Sequence, residues 1–212
     1  MQLTEAIRTY EGQPITRQIL FSLLKGYKRP LDKITDLIRD GVLTQIKAKV
    51  YIPGPNLKMR APEPYLLANH LASPSYVSME TALSHWRLIP ERVYEVTSAI
   101  AGRSRHYATP AGRFRYTHVP LPYFSFGQIS LQLAPGQVSL MATPEKALCD
   151  TVISIKGLLF RSPKAAKQWS LEDMRMDKTV LQSLNTAYLR DWYAAAPKTE
   201  SLLQLIKFLE DL

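Results

Sequence analysis

The feature that most constrains the fold is a change of hydrophobic period at Gly41, inside the stretch RPLDKITDLIRDGVLTQIKAKVY (29–51). Before this glycine, apolar residues recur at helical spacing, whereas Val42 to Ile52 is rich in β-branched residues, as strands are. Pro30 suits the first turn of a helix, and Gly41 suits the left-handed residue that closes one. The sequence therefore predicts a helix over 31–40 that runs directly into a strand.

Two further helical patterns precede this pair, Leu3 to Tyr10 and Thr16 to Leu24, with Thr16 as the expected N-cap of the second. The segment KGYKR (25–29) separates the second helix from the third. Helix, turn, helix and then a β-wing is the order of a winged helix-turn-helix. In that fold the third helix enters the major groove of double-stranded DNA.

The segment IPGPNLKMRAPEP (52–64) is rich in proline and is expected to be an irregular connection. It divides the chain into a DNA-binding domain over 1–55 and a second domain over 65–212. Beyond it, strand and helix patterns alternate, and the chain from Leu171 onward has a helical pattern. The predicted fold class is α+β.

Local signals place the main elements of the second domain. Ser78 is expected to cap a helix, and a strand is expected over Val93 to Ile100. Ser104 to Val119 is expected to be a hairpin that turns at TPAG. The dipeptide PG at 135 and 136 is expected to join two strands, and Thr143 with the following proline starts another helix.

Composition narrows the possible classes of protein. The 212 residues are 46% apolar, enough for a packed core, and the single cysteine, Cys149, favours a reducing compartment such as the cytoplasm. The longest uncharged run, Tyr116 to Pro144, contains four prolines, two glycines and three glutamines, which argue against a membrane span. The first 20 residues carry charges throughout, so no secretory signal is expected.

Positive charge is concentrated near the N-terminus. The net charge is +9, and residues 1–60 hold 11 Lys and Arg against 5 Asp and Glu. A basic segment ahead of a nearly balanced majority is typical of a nucleic-acid-binding module attached to another domain. A solvated basic surface that only keeps the protein soluble is the alternative that charge alone leaves open.

Five basic residues of the first domain are expected to contact DNA: Lys28, Arg29, Lys33, Lys47 and Lys49. Arginine can read guanine through two hydrogen bonds, whereas the lysines would mostly hold phosphates. The outer side of the third helix also carries Asp32, Asp36 and Asp40, which would repel phosphate. A winged helix that docks a partner protein is therefore the alternative.

A second basic group lies in the expected hairpin, where no acid occurs between Glu95 and Glu145: Arg103, Arg105, Arg113 and Arg115. Alternation puts each pair on one face of its own strand. If the two faces coincide, the four arginines form a patch for RNA, DNA or an acidic partner. The alternative is an ordinary solvated strand face.

No motif of an enzyme, cofactor site or metal site is found in the sequence, so none of these is expected. Glycine-rich phosphate loops, a Gly-x-Ser-x-Gly elbow, thiolate pairs and helical histidine ligand pairs are all missing. The nearest group of carboxylates is Glu172, Asp173 and Asp177, on a polar helical segment. A metal-dependent enzyme acting on nucleic acid would need such a group and stays the third hypothesis.

Three blocks stand out in the second domain, behind RDGVLTQIKAKVYIP in the first: SYVSMETALSHWRLIPERVYEVTSAI (75–100), TPAGRFRYTHVP (109–120) and MATPEKALCDTV (141–152). Together they resemble the AbiEi family of type IV toxin-antitoxin antitoxins. The similarity runs from about residue 15 to 155 in order and spacing, and the ATPEKAL block is fairly specific. The chain departs from the family at Ala48 and Lys49, where wings usually turn with Arg-Gly.

The resemblance implies an N-terminal domain that represses its own operon by binding inverted repeats in the promoter. It also implies a C-terminal domain that counters a cognate nucleotidyltransferase-like toxin, typically without a stable complex. The repressor role would fall on the five basic residues of the first domain, and the arginine hairpin would belong to the antitoxin domain. A toxin-like reading frame beside the gene would separate this hypothesis from an orphan regulator.

Overall fold

The computed structural model describes residues 3–212, which form a mixed α+β fold with ten α-helices and two sheets. The helices are α1 (Leu3–Arg8), α2 (Arg17–Leu23), α3 (Pro30–Arg39), α4 (Pro64–Leu71), α5 (Met79–His85), α6 (Pro144–Ser154), α7 (Pro163–Gln168), α8 (Lys178–Gln182), α9 (Thr186–Trp192) and α10 (Thr199–Glu210). The strands are β1 (Ile15–Thr16), β2 (Leu43–Lys47), β3 (Val50–Pro53), β4 (Ser75–Val77), β5 (Glu95–Ile100), β6 (Arg105–Thr109), β7 (Gly112–His118), β8 (Gln128–Ala134) and β9 (Gln137–Ala142). The α+β class expected from the sequence is confirmed.

The two sheets differ in size and topology. The small sheet has the order β1-β3-β2 and is antiparallel. The large sheet has the order β6-β7-β5-β4-β9-β8. It is mixed, because β4 with β9 and β5 with β7 run parallel while the other neighbours run antiparallel.

Two hydrophobic clusters form the core. The smaller joins the first three helices to one face of the small sheet and contains Ile7, Ile15, Leu20, Leu24, Ile34, Leu37, Leu43, Tyr51 and Leu57. The larger cluster surrounds the large sheet and also includes Ile46 and Ile52 of the small sheet. Because neighbouring residues of a strand point to opposite faces, the small sheet is packed on both of its faces.

The division between the clusters falls near the boundary expected from the sequence, but the small sheet belongs to both halves. Polar contacts also join the halves at the β8–β9 turn. Gln13 Nε2 donates to the carbonyl of Gly136 at 2.6 Å, and Arg60 Nη2 donates to the carbonyl of Pro135 at 3.3 Å. Residues 1 and 2 of the expected domain 1–55 lie outside the described range.

The residue pattern over 42–52 predicts one strand, whereas the chain turns at Ala48 and Lys49 to make the β2–β3 hairpin. These are the positions at which the resemblance implies a wing turn. Lys49 has a φ of 69°. A run of β-branched residues predicts strand content, but it does not mark a turn that lacks glycine, proline or asparagine.

Ser78 precedes α5 as expected, but its side chain does not cap the helix. Its hydroxyl instead donates to Asp150 Oδ2 at 2.7 Å. The bond to the buried carboxylate holds the hydroxyl away from the amides of the first turn, from which a capping oxygen would accept. Asp150 is 72 residues away in the chain, so sequence spacing does not reveal this partner.

Other local expectations are confirmed. Pro30 opens α3, and Gly41 has a φ of 64° just beyond the helix. The Thr143 hydroxyl accepts from the Lys146 amide at 3.3 Å and caps α6. Both expected hairpins of the large sheet, β6–β7 and β8–β9, are present. None of the helices within residues 3–212 combines the length and apolar composition needed to cross a lipid bilayer.

Candidate nucleic-acid interface

The first candidate surface is built on α2, α3 and the turn between them. The Thr16 hydroxyl accepts a hydrogen bond from the Ile19 amide at 3.4 Å and caps α2, as the sequence predicts. Leu20 of α2 belongs to the same buried cluster as Ile34 and Leu37 of α3. Because these apolar sides face inward, the polar sides of both helices and the intervening turn face solvent.

Three of the five expected DNA contacts lie together at the start of α3. Lys28 and Arg29 are exposed, and 85% of the Arg29 side chain is accessible. Lys33 is half-buried, with its Nζ 5.9 Å from the centre of the Tyr27 ring. Lys25, in the turn between α2 and α3, is a third exposed cation, and its charge could have been noted from the sequence.

The three aspartates of α3 are paired with arginines. Asp32 lies 3.8 Å from Arg29 Nη1, and Asp36 lies 2.9 Å from Arg39 Nη2. Asp40 lies 3.3 Å from Arg39 Nε. The outer side of α3 therefore carries paired opposite charges and not a continuous acidic stripe. Pairing reduces the repulsion of phosphate, but it also occupies part of the Arg29 guanidinium.

The two lysines of the β2–β3 hairpin have different surroundings. Lys49 is exposed at the turn, and its carbonyl accepts from the Arg17 amide at 2.9 Å. Lys47 is half-buried; its Nζ donates to the carbonyl of Leu71 at 2.6 Å and lies 4.6 Å from the centre of the Tyr107 ring. Lys47 therefore contributes to the contact between the small sheet and the second half, which corrects its expected place on an open wing.

The four arginines of the second candidate surface do not share one face. In the register of β6 with β7, Arg105 lies opposite Tyr116. Directly opposed residues share a face, so alternation puts Arg113 and Arg115 on the other face. Arg103 precedes β6 and is exposed. The condition for a single four-arginine patch, that the two faces coincide, is therefore not met. Sequence alternation assigns faces within one strand but not between strands.

Arg115 also forms ion pairs with two acidic side chains. Its Nη2 lies 3.1 Å from Glu80 Oε2, and its Nε lies 3.1 Å from Glu95 Oε2. Glu95 Oε1 in turn lies 2.9 Å from His106 Nε2. Glu80 is 35 residues earlier in the chain and is brought here by α5, so no local pattern could reveal this partner.

Arg105 instead lies at the junction of the two halves, beside Tyr107 and Lys47. Burial acts to raise the pKa of the Tyr107 hydroxyl, but the neighbouring cationic side chains of Arg105 and Lys47 outweigh it and lower that pKa. The structure thus brings one expected DNA contact and one expected antitoxin residue to the same tyrosine, although they are far apart in sequence.

A cleft that the sequence did not suggest lies beside the Arg115 ion pairs, with a volume of about 510 Å³. Its rim includes Tyr94, which is 84% exposed. Its charged lining residues are Glu80, Glu91, Arg92, Glu95, Arg115 and Asp173. They come from four distant segments, which is why sequence spacing gives no signal for them.

The ATPEKALCD block contains a fully buried ion pair on α6. Lys146 Nζ lies 2.9 Å from Asp150 Oδ1, and neither side chain is accessible to solvent. Asp150 Oδ2 accepts from the Tyr76 hydroxyl at 2.9 Å and from the Ser78 hydroxyl at 2.7 Å. Lys146 also donates to the carbonyl of Tyr123 at 3.1 Å. These contacts tie α6 to β4 and to the turn before β8.

The electrostatics of this pair follow from burial. Loss of hydration lowers the pKa of Lys146, and the facing Asp150 carboxylate only partly offsets that effect. Burial likewise raises the pKa of the Cys149 thiol well above its usual range, so this thiol is a structural and not a nucleophilic group.

The carboxylates Glu172, Asp173 and Asp177 do not converge on one point of the fold. Asp177 Oδ1 accepts from the Val180 amide at 3.0 Å and caps α8, whereas Asp173 lines the cleft. In the part of the chain that the structure describes, no group of three or more His, Cys, Asp and Glu side chains is arranged to hold a metal ion. The chain matches no protein-family model and no curated protein.

Proposed function

We propose that the chain is a double-stranded DNA-binding autorepressor of its own operon and the antitoxin of a type IV toxin-antitoxin pair. In this proposal residues up to about 55 form a winged helix-turn-helix in which α3 enters the major groove. The protein acts in the cytoplasm, without a cofactor, metal or membrane and without catalysis of its own.

The observation that carries the DNA-binding proposal is the group of cations at the start of α3. Lys28, Arg29 and Lys33 lie where a recognition helix meets base edges and flanking phosphates, and Lys49 lies at the turn of the adjacent hairpin. Arg29 would read guanine, and the three lysines would neutralise phosphates. Lys47 is left out of this set, because its ammonium already donates to Leu71.

The test is binding of the full chain to its own upstream promoter fragment at two salt concentrations, beside a scrambled fragment of equal length. We expect preference for the promoter and an affinity that falls steeply with salt, because each phosphate contact releases condensed counterions. Lys49→Glu should weaken binding to both fragments and lower the salt dependence by about one phosphate contact. Arg29→Ala should reduce the preference for the promoter; an equal loss on both fragments would contradict base reading.

The antitoxin part of the proposal rests on the resemblance of residues 75–152 to that family. Co-expression with a nucleotidyltransferase-like toxin encoded beside the gene should restore growth. A variant lacking residues 3–55 that still restores growth would assign neutralisation to the second half. The cognate toxin would then be a functional partner, whether or not the two proteins form a stable complex.

A specific observation favours a second candidate function, a winged helix that docks a partner protein. The exposed side of α3 carries paired charges of both signs, Arg29 with Asp32 and Arg39 with Asp36. Such a surface complements a protein with alternating charges better than it complements a polyanion. Weak binding that does not distinguish the promoter from the scrambled fragment would favour this second candidate.

A further inference from the structure

Three large apolar side chains are exposed in the same stretch that carries the cations of the proposed DNA surface. Phe21 is 40% exposed, Tyr27 is 44% exposed and Leu31 is 52% exposed. They come from the last turns of α2, the turn, and the first turn of α3. Single exposed apolar residues are common on protein surfaces, but here three fall within eleven residues that span α2, the turn and the start of α3.

The charges around this group select the kind of molecule that covers it. Residues 21–33 contain four cations, Lys25, Lys28, Arg29 and Lys33, and a single acid, Asp32. That acid already contacts Arg29. An apolar patch with this surplus of positive charge complements a polyanion that itself presents apolar groups.

Double-stranded DNA is such a polyanion. The start of a recognition helix meets base edges in the major groove, and the one apolar group that base pairs present there is the 5-methyl group of thymine. An exposed leucine in the first turn of α3 has the reach and chemistry to cover such a methyl group, which removes apolar surface of both partners from water.

We propose that Leu31, which follows the exposed Phe21 and Tyr27 in the chain, reads thymine in the operator through its 5-methyl group. This inference rests on the proposed DNA-binding function and adds to it a base preference that hydrogen bonds do not supply. Arg29 reads guanine by hydrogen bonding, and Leu31 reads thymine by apolar contact, so the two residues specify different base pairs of one half-site.

The test compares the full chain on two versions of the promoter fragment, one with thymine and one with uracil at every thymine position. Uracil pairs as thymine does but lacks the methyl group. We expect wild type to bind the uracil fragment about fourfold more weakly for each methyl group contacted. Leu31→Ala should lose about the same factor on the thymine fragment and bind both fragments equally.

Leu159→Ala is the matched control, because Leu159 is 60% exposed between α6 and α7, outside the helix-turn-helix. This variant should discriminate between the fragments as wild type does. Promoter preference with equal affinity for both versions would overturn the thymine inference alone. The thymine inference would also be overturned if uracil weakened binding to the scrambled fragment by the same factor as to the promoter. Such a result would reflect a change in DNA stiffness and not a specific contact. Absence of any promoter preference would overturn the proposed function as well.

Discussion

The α3 and α6 helices each carry oppositely charged side chains about one turn apart, but they differ in contact with water. On α6, Lys146 and Asp150 are completely buried, and a carbonyl and two hydroxyl groups hydrogen-bond to them. On α3, 85% of the Arg29 side chain and 69% of the Asp32 side chain are accessible. The same kind of ion pair is therefore fully buried on α6 and largely exposed on α3.

The difference lies in the cost of removing charge from water. A buried pair has already lost its hydration, so removing one partner leaves an uncompensated charge inside the protein. An exposed pair is screened by water and salt and contributes about 0–1 kcal/mol to stability. The pair on α6 accordingly bears on folding, whereas under the proposed function the pairs on α3 bear on which partner the surface accepts.

The largest expected effect is the loss of the buried carboxylate. Asp150→Ala should lower the free energy of unfolding by about 3–5 kcal/mol, because it strands the Lys146 ammonium and the Tyr76 and Ser78 hydroxyls. Asp32→Ala on α3 is the matched control and should change it by less than about 0.5 kcal/mol. Urea unfolding followed by circular dichroism measures both, and similar losses in the two variants would contradict the comparison.

A second prediction concerns stability at alkaline pH, at which tyrosine hydroxyls lose their protons. Burial raises the pKa of the Tyr76, Tyr116 and Tyr123 hydroxyls above the value of about 10 expected in the unfolded chain. At higher pH the unfolded chain loses protons that the folded chain keeps. Stability should therefore fall by about 1.4 kcal/mol per pH unit for each tyrosine.

Lys146 acts in the opposite direction. Its pKa is lowered in the folded chain, so the unfolded chain binds this proton more tightly until about pH 10.5. The free energy of unfolding should therefore fall steeply only above that pH. Urea titrations from pH 8 to 11.5 measure it, and Tyr116→Phe should remove about one tyrosine's share of the slope. A flat profile above pH 10.5 would contradict the buried assignment.

The third prediction separates the two lysines of the β2–β3 hairpin. Lys47→Met should lower the free energy of unfolding by about 1–2 kcal/mol, because it removes a charged hydrogen bond to Leu71 in a half-buried contact. Lys49→Met should leave stability unchanged and weaken DNA binding. The same urea and DNA-binding measurements apply to both, and an exchange of the two effects would place Lys47 on the DNA surface after all.

Asp32→Asn should have the smallest effect on the free energy of unfolding. It should nevertheless change how strongly the α3 surface binds DNA. Removing this charge frees Arg29 and should raise DNA affinity a few-fold at low salt, with the gain shrinking at high salt. Asp211→Asn, at an exposed carboxylate just beyond α10, is the control and should have no effect. If α3 docks a protein, Asp32→Asn should leave DNA binding weak.

Much of the secondary structure could be predicted because its signals are local. Thr16 and Thr143 cap the helices that they were expected to cap, and Gly41 has the left-handed conformation that ends α3. These residues act on amides within three positions of themselves. The hairpin turn at Lys49 came only from the resemblance and not from the residue pattern, because a lysine with a positive φ leaves no turn signal in the sequence.

The candidate site could be predicted only in part. The exposed cations of α3 follow from the helical period, which puts polar residues opposite the buried stripe. The inward turn of Lys47 and the separation of Arg105 from Arg113 depend on packing and strand register. The alternation of residues along one strand gives no information on packing or on register with a neighbouring strand.

The sequence alone determined the α+β class, the starts of α2, α3 and α6, the end of α3, and the concentration of positive charge near the N-terminus. Propensity, capping and charge are properties of short segments. The tertiary structure decided which charged side chains contact other parts of the fold. It put Lys47 against Leu71, Arg115 between Glu80 and Glu95, and the pair on α6 out of reach of water. These contacts join residues that are distant in sequence, and only the packing of the two sheets and their helices brings them together.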